Sequence, residues 1–192
     1  MSEDLAPFTV DDFDRLADLV IDAWTVGVDQ DWSAPAGTLE WTCLATADHT
    51  VDCVFSYALF LASRRQDDYP NWGELHALPD ATAGDMVEGL RAVATMLSAV
   101  IRTAPTDTRA ILFLRPQSTT GTPQDFAARG GHELILHAHD VCSGLGVAFD
   151  PPADLCARLL LHTAAWMREE PADPTGNPWH DLLTRSGRPR PT

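Results

Sequence analysis

The stretch Arg129-Gly-Gly-His-Glu-Leu-Ile-Leu-His-Ala-His-Asp140 constrains this chain more than any other. On an α-helix Arg129, Glu133 and His137 fall at i, i+4 and i+8, and Asp140 follows three residues on, so all four side chains project from one stripe. Leu134, Ala138, Val141 and Leu145 form an apolar face beside them, which buries the helix and carries the polar file to the edge of the core or inside it. A carboxylate is costly there unless something positive meets it. A carboxylate and an imidazole four residues apart can grip one ion, but three groups do not close a site. The pattern therefore asks for another donor elsewhere in the chain, and His49 is the best candidate.

With 192 residues, 45% of them apolar, and no run of 18 uninterrupted apolar residues, the expectation is a soluble chain with one well-filled core and no membrane span. The N-terminal Met-Ser-Glu-Asp-Leu-Ala-Pro has neither a basic region nor an apolar run, which points to a cytoplasmic location. Cys43, Cys53, Cys142 and Cys156 make no CxxC and sit in helical patterns, so they are read as small core residues without a redox or metal role. A net charge of -15 repels polyanions, and the 13 basic residues are scattered, which argues against a nucleic-acid partner. All 13 are arginine. The missing lysine excludes Schiff-base chemistry, a lysine-anchored pyridoxal cofactor and a P-loop. Few enzyme classes pass that filter without a metal.

Helical periodicity predicts a first helix over 9–26 with Thr9 as N-cap and Gly27 as its end. A longer second helix over 42–65 is apolar on nearly every side and carries His49, with Thr42, Ala45, Cys53, Ser56 and Phe60 on the same stripe. Asp52 follows His49 by three residues and is placed to orient its ring. Residues 66–80 read as an irregular, aromatic-rich crossing. A third helix spans 81–103, and the run from Arg109 to Arg115 is either a short extended segment or a buried connector. The fourth helix, 123–143, carries the opening stripe, and a fifth follows over 153–168 with His162 as a packed or edge histidine. His132 and His139 point about 100° away from Glu133 and are read as peripheral. Trp41, Phe60 and Trp166 are read as core. The domain reading is a helical bundle over 1–170 and a Pro/Arg-rich tail over 171–192, docked or loose, with a short amphipathic patch around Trp179 to Leu183.

Trp41-Thr42 followed by His49, together with Arg129-x3-Glu133-x3-His137-x-x-Asp140, resembles the two motifs of the DinB/YfiT-like metalloprotein superfamily, nearest the N-terminal domain family of mycothiol-dependent maleylpyruvate isomerase. The likeness extends over roughly residues 10–168, and only the two motifs are specific. It implies an all-α, up-down-up-down four-helix bundle with an extra C-terminal helix and an irregular tail. It also implies a divalent metal on His49, Glu133 and His137, usually zinc, with nickel, iron and manganese compatible by donor type. The isomerase has an additional C-terminal domain where this chain has a short tail, which sets the isomerisation itself apart from what the likeness implies.

Two function classes follow. One is a metal-dependent thiol S-transferase or isomerase-like enzyme, with mycothiol as co-substrate, a metal-bound thiolate as nucleophile and an electrophilic small molecule as partner. Its catalytic candidates are Arg129, Asp140 and Asp52, which would support the ligands or meet a substrate carboxylate. The other is a non-catalytic, metal-stabilised binding or regulatory module, and a homodimer is left open for either. The blander alternative for the stripe is a solvated face of ordinary i, i+4 pairs, each worth roughly 0.2–0.5 kcal/mol.

Overall fold

The computed structural model describes residues 5–115, 117–166 and 174–189. Its helices are α1 (Val10–Val26), α2 (Cys43–Ser63), α3 (Ala83–Thr103), α4 (Pro123–Leu145), α5 (Ala153–Thr163) and α6 (Pro178–Arg185), with strands β1 (Ala110–Phe113) and β2 (Thr119–Gly121) between α3 and α4. The helix starts follow from the sequence: Thr9, Thr82 and Thr122 each cap a first turn, with Asp12, Asp85 and Asp125 returning the bond to the cap residue. The ambiguous run after Arg109 is an extended segment, paired antiparallel with β2 through Ala110–Gly121 and Ile111–Thr120.

Helices α1 and α2 occupy opposite corners of the bundle, and each packs against α3 and α4. Phe13, Leu16, Val20 and Trp24 of α1, Val54 and Leu61 of α2, Leu90 and Leu97 of α3, and Leu134, Ile135 and Val141 of α4 fill the interior. Gly130 lets α4 approach closely, since a Cβ there would lie 2.8 Å from Leu97 and 2.9 Å from Phe13. The helical bundle is as expected, and the order of directions differs from up-down-up-down. Ser98 and Arg102 near the end of α3 reach Asp14 at the start of α1, at 3.1 and 2.6 Å. Cys43 at the start of α2 meets the Val141 carbonyl near the end of α4, and Gly27 after α1 packs on Leu145 of α4. Helices α1 and α4 therefore run one way and α2 and α3 the other.

The physical reason is the segment over 64–82, which runs back along α2 before α3 begins. Leu75 N–H donates to Asp52 at 2.8 Å and Ala77 N–H to Asp48 at 2.8 Å, so the crossing is fastened to the outer side of α2. In the C-terminal part, Trp179, Leu182 and Leu183 of α6 are buried in the same core as the bundle. Residues 167–173 and 190–192, part of the sequence-predicted fifth helix and tail, lie outside the described residues. No helix is long and apolar enough to cross a membrane among those described.

Candidate metal centre

The loop before α2 sets up the first half of the site. Ala36 N–H bonds the Trp41 carbonyl at 2.9 Å and Cys43 N–H bonds the Ala34 carbonyl at 2.8 Å, closing a tight turn that leaves Thr42 to cap α2 through Ala45 N–H. Gly144 of α4 seats this turn, because a Cβ there would collide with the Pro35 carbonyl and the Cys43 sulfur. From that start α2 presents His49, Cys53 and Tyr57 at i, i+4 and i+8, facing Arg129, Glu133 and His137 at the same spacing on antiparallel α4. The order reverses across the interface. The His49 and His137 rings meet edge to face at 5.2 Å, while the Tyr57 hydroxyl donates to Glu133 Oε1 at 3.2 Å.

Glu133 is answered on both oxygens. Arg129 Nη1 lies 2.7 Å from Oε1 and His137 Nε2 lies 3.3 Å from Oε2. Burial pushes the Glu133 pKa up, but the His137 hydrogen bond and the Arg129 and His137 charges outweigh it and hold the carboxyl well below the usual range. Burial likewise pulls His137 down, yet its bonds to Asp140 at 3.2 Å and to Glu133 leave the net shift upward, with the ring set between two carboxylates. Asp140 is 2% exposed and is gripped by Arg188 from beyond α6, Nε to Oδ1 at 2.8 Å and Nη2 to Oδ2 at 2.6 Å. His49 shifts the other way, lowered by burial and then by the neighbouring His137 charge.

One donor atom each from His49, Cys53 and Glu133 lies within 4.8 Å of the others, with Cys53 Sγ 3.4 Å from His49 Nε2. His137 adjoins this group through Glu133. The arrangement fits a borderline divalent cation because it offers imidazole, carboxylate and thiol donors together. Burial, and then the Glu133 charge, push the Cys53 thiol up to about 12, so it stays protonated at neutral pH.

The sequence-predicted residues separate into those the site gathers and those it does not. His137 touches the His49 ring and bonds Glu133, with Arg129 on Glu133 and Asp140 on His137, but the three donor atoms within 4.8 Å of one another are those of His49, Cys53 and Glu133, not of the expected His49, Glu133 and His137. Asp52 instead accepts the Leu75 N–H. Trp41 is not core: it is 52% exposed and packs edge-on against His49 at 5.2 Å, a wall at the mouth of the site. Trp166 lines a cavity with Phe113, and Phe60 stacks on Tyr69 at 4.5 Å. His162 is an edge histidine 2.9 Å from Asp125, and His139 packs on Trp179. Sequence reasoning missed Cys53 as a donor neighbour, Tyr57, and Arg188. The first two were within reach, since they continue the His49 stripe at four-residue steps, but nothing local links Arg188 to Asp140.

No family model matches the sequence, and no curated protein matches it. Among solved structures the fold is similar to that of a histidine-to-alanine mutant of mycothiol-dependent maleylpyruvate isomerase, with a TM-score of 0.58 and 13% identity over 88% of this chain and 76% of that one. At that identity the likeness is one of fold.

Proposed function

We propose that this chain is a thiol-dependent enzyme acting on a small electrophile, with a divalent ion, zinc first among the candidates, held by His49, Glu133 and His137. The co-substrate is a low-molecular-weight thiol, mycothiol by likeness to the isomerase that shares the fold. The observation that carries this reading is the meeting of the two four-residue stripes of α2 and α4, where the His49 and His137 rings touch and His137 reaches Glu133. An ion there would supply acidity, because a coordinated thiol is deprotonated at neutral pH whereas a free one near pKa 8.5 is mostly not.

The chain's own residues do the rest. Arg129 and Tyr57 fix Glu133 from the side opposite His137, and Asp140, held by Arg188, fixes the His137 ring. Trp41 shields His49 from one side. The chain has no lysine to act as an amine nucleophile, and in this reading the nucleophile is brought in as a second molecule. In the transfer the thiol loses its proton to solvent, a carbon–sulfur bond forms, and the electrophile's leaving group departs with the bonding pair.

One observation favours a second reading. Cys53 stands beside His49 and Glu133, and four protein donors would close the coordination sphere as in a structural site, giving a metal-stabilised binding module. Loss of free thiol is the test, with ion-loaded protein, mycothiol and a generic alkylating electrophile. Turnover that needs the ion and vanishes in Glu133→Ala supports the enzyme; absence of thiol binding by calorimetry in the loaded protein leaves the binding module.

A further inference from the structure

A cavity of about 790 Å³ opens beside the β-hairpin, where α4 meets the ends of α5 and α6. Arg115, Arg129 and Arg185 line it together with His132, Phe113 and Trp166. None of the described lining residues is acidic, in a chain whose net charge is -15. That composition runs against the rest of the molecule. Arg102 and Arg158 each meet two aspartates, and Arg188 meets one on both oxygens.

The cavity also gathers unmet hydrogen-bond donors. Arg129 Nε, His132 Nε2 and Arg185 Nε are each buried without a hydrogen-bond partner among the described residues, and all three belong to residues that line it. A buried donor left unpaired costs the full desolvation of the group, so such atoms are rare unless something else meets them. The His132 ring lies in the wall, so its Nε2 is placed to bond an occupant. Phe113 and Trp166 meet edge to face at 5.5 Å, and the Arg129 guanidinium lies 5.0 Å from the Phe113 ring centre, which gives the cavity an aromatic wall beside its cations.

We infer that this cavity is a binding site for a small organic anion, an oxyanion head on a flat apolar body. The head meets the guanidinium groups of Arg185 and Arg115 and the N–H groups of Arg129 and His132, and the body lies against Phe113 and Trp166. The volume is that of a ligand pocket, well beyond a few waters. Arg129 belongs to both neighbourhoods, since its Nη1 holds Glu133 while its Nε is free for the anion, so an occupant would bear on the carboxylate of the donor stripe. The inference stands whether or not that stripe takes an ion.

Calorimetric titration of chelator-treated protein with benzoate, phenyl phosphate, inorganic phosphate and benzyl alcohol tests it. Expected are one saturable site for the two aromatic anions, weaker binding of inorganic phosphate, none of the neutral alcohol, and at least a tenfold loss of affinity in Arg185→Gln. Arg115→Gln, on an exposed residue, repeats the loss without disturbing α6. No binding by any anion overturns the inference, as does wild-type affinity in both variants. Inorganic phosphate binding as tightly as phenyl phosphate removes the aromatic body from it. Binding seen only after ion loading, and lost in His49→Ala, places the anion on the ion and also overturns it. Failure of the divalent-ion site alone leaves anion binding intact.

Discussion

The donor stripe and the arginine cavity lie on either side of Arg129, and they treat charge in opposite ways. In the stripe every buried charge is answered: Arg129 and His137 on Glu133, Asp140 on His137, Arg188 on Asp140. In the cavity, nitrogens of Arg129, His132 and Arg185 are buried with no partner among the described residues, and none of the described lining residues is acidic. A chain of answered charges holds its shape by itself and pushes its pKa values apart, acids down and His137 up. A cluster of unanswered donors stores a cost that only an occupant relieves. Removing a charge from the first region is therefore expected to hurt stability, and removing one from the second is not.

The largest effect is expected from Glu133→Gln. An amide leaves Arg129 and His137 facing a neutral group, and breaking a buried pair of this kind costs about 3 kcal/mol, read as a lowered urea midpoint. A midpoint that does not move would show the stripe to be a solvated face after all. Next comes Asp140→Asn, which weakens both the Arg188 fork and the His137 bond, at about 2 kcal/mol and with earlier loss of the α6 region in hydrogen exchange. Unchanged exchange in residues 178–188 would mean that Arg188 does not fasten this segment.

A smaller effect belongs to pH. Burial pushes Asp125 up, but bonds from His162 and Thr122 outweigh it and hold its pKa at about 2, below the ordinary 3.8. A depressed folded pKa stabilises above the unfolded value and loses that stability as pH falls through about 2, so the acid limb between pH 4 and 2 carries about 1 kcal/mol from this partly exposed group. Asp125→Asn is expected to flatten that limb, and an equally steep acid limb in the variant would assign it to other carboxylates. The smallest effect is the counterpart to the first: Arg185→Gln is expected to shift stability by less than about 0.5 kcal/mol, since its Nε gives up no bond. A loss as large as that of Glu133→Gln would erase the contrast between the two regions.

Much of this was legible in the sequence because it is local. Thr9, Thr82 and Thr122 followed three residues on by aspartate announce helix starts, and a four-residue step puts Arg129, Glu133 and His137 in one file. The direction of α3 was not legible, since it depends on how far residues 64–82 travel, and that is fixed by Asp48 and Asp52 accepting backbone N–H groups from that segment. Cys53 was read as a small core residue although it shares the His49 stripe, and its place beside Glu133 was within reach once that stripe was set against α4. Arg188 lies 48 residues from Asp140, and Arg115 and Arg185 reach the same cavity from a hairpin and a terminal helix. Only the packed chain brings such groups together.

Titration of untagged, chelator-treated protein with zinc, followed by calorimetry and elemental analysis, asks whether the facing stripes of α2 and α4 hold a divalent ion. The expected result is one equivalent bound, lost in His49→Ala while circular dichroism keeps the helical signal, because the bundle core does not depend on the ion. Less than a tenth of an equivalent after loading, or full binding in the His49→Ala protein, would contradict it.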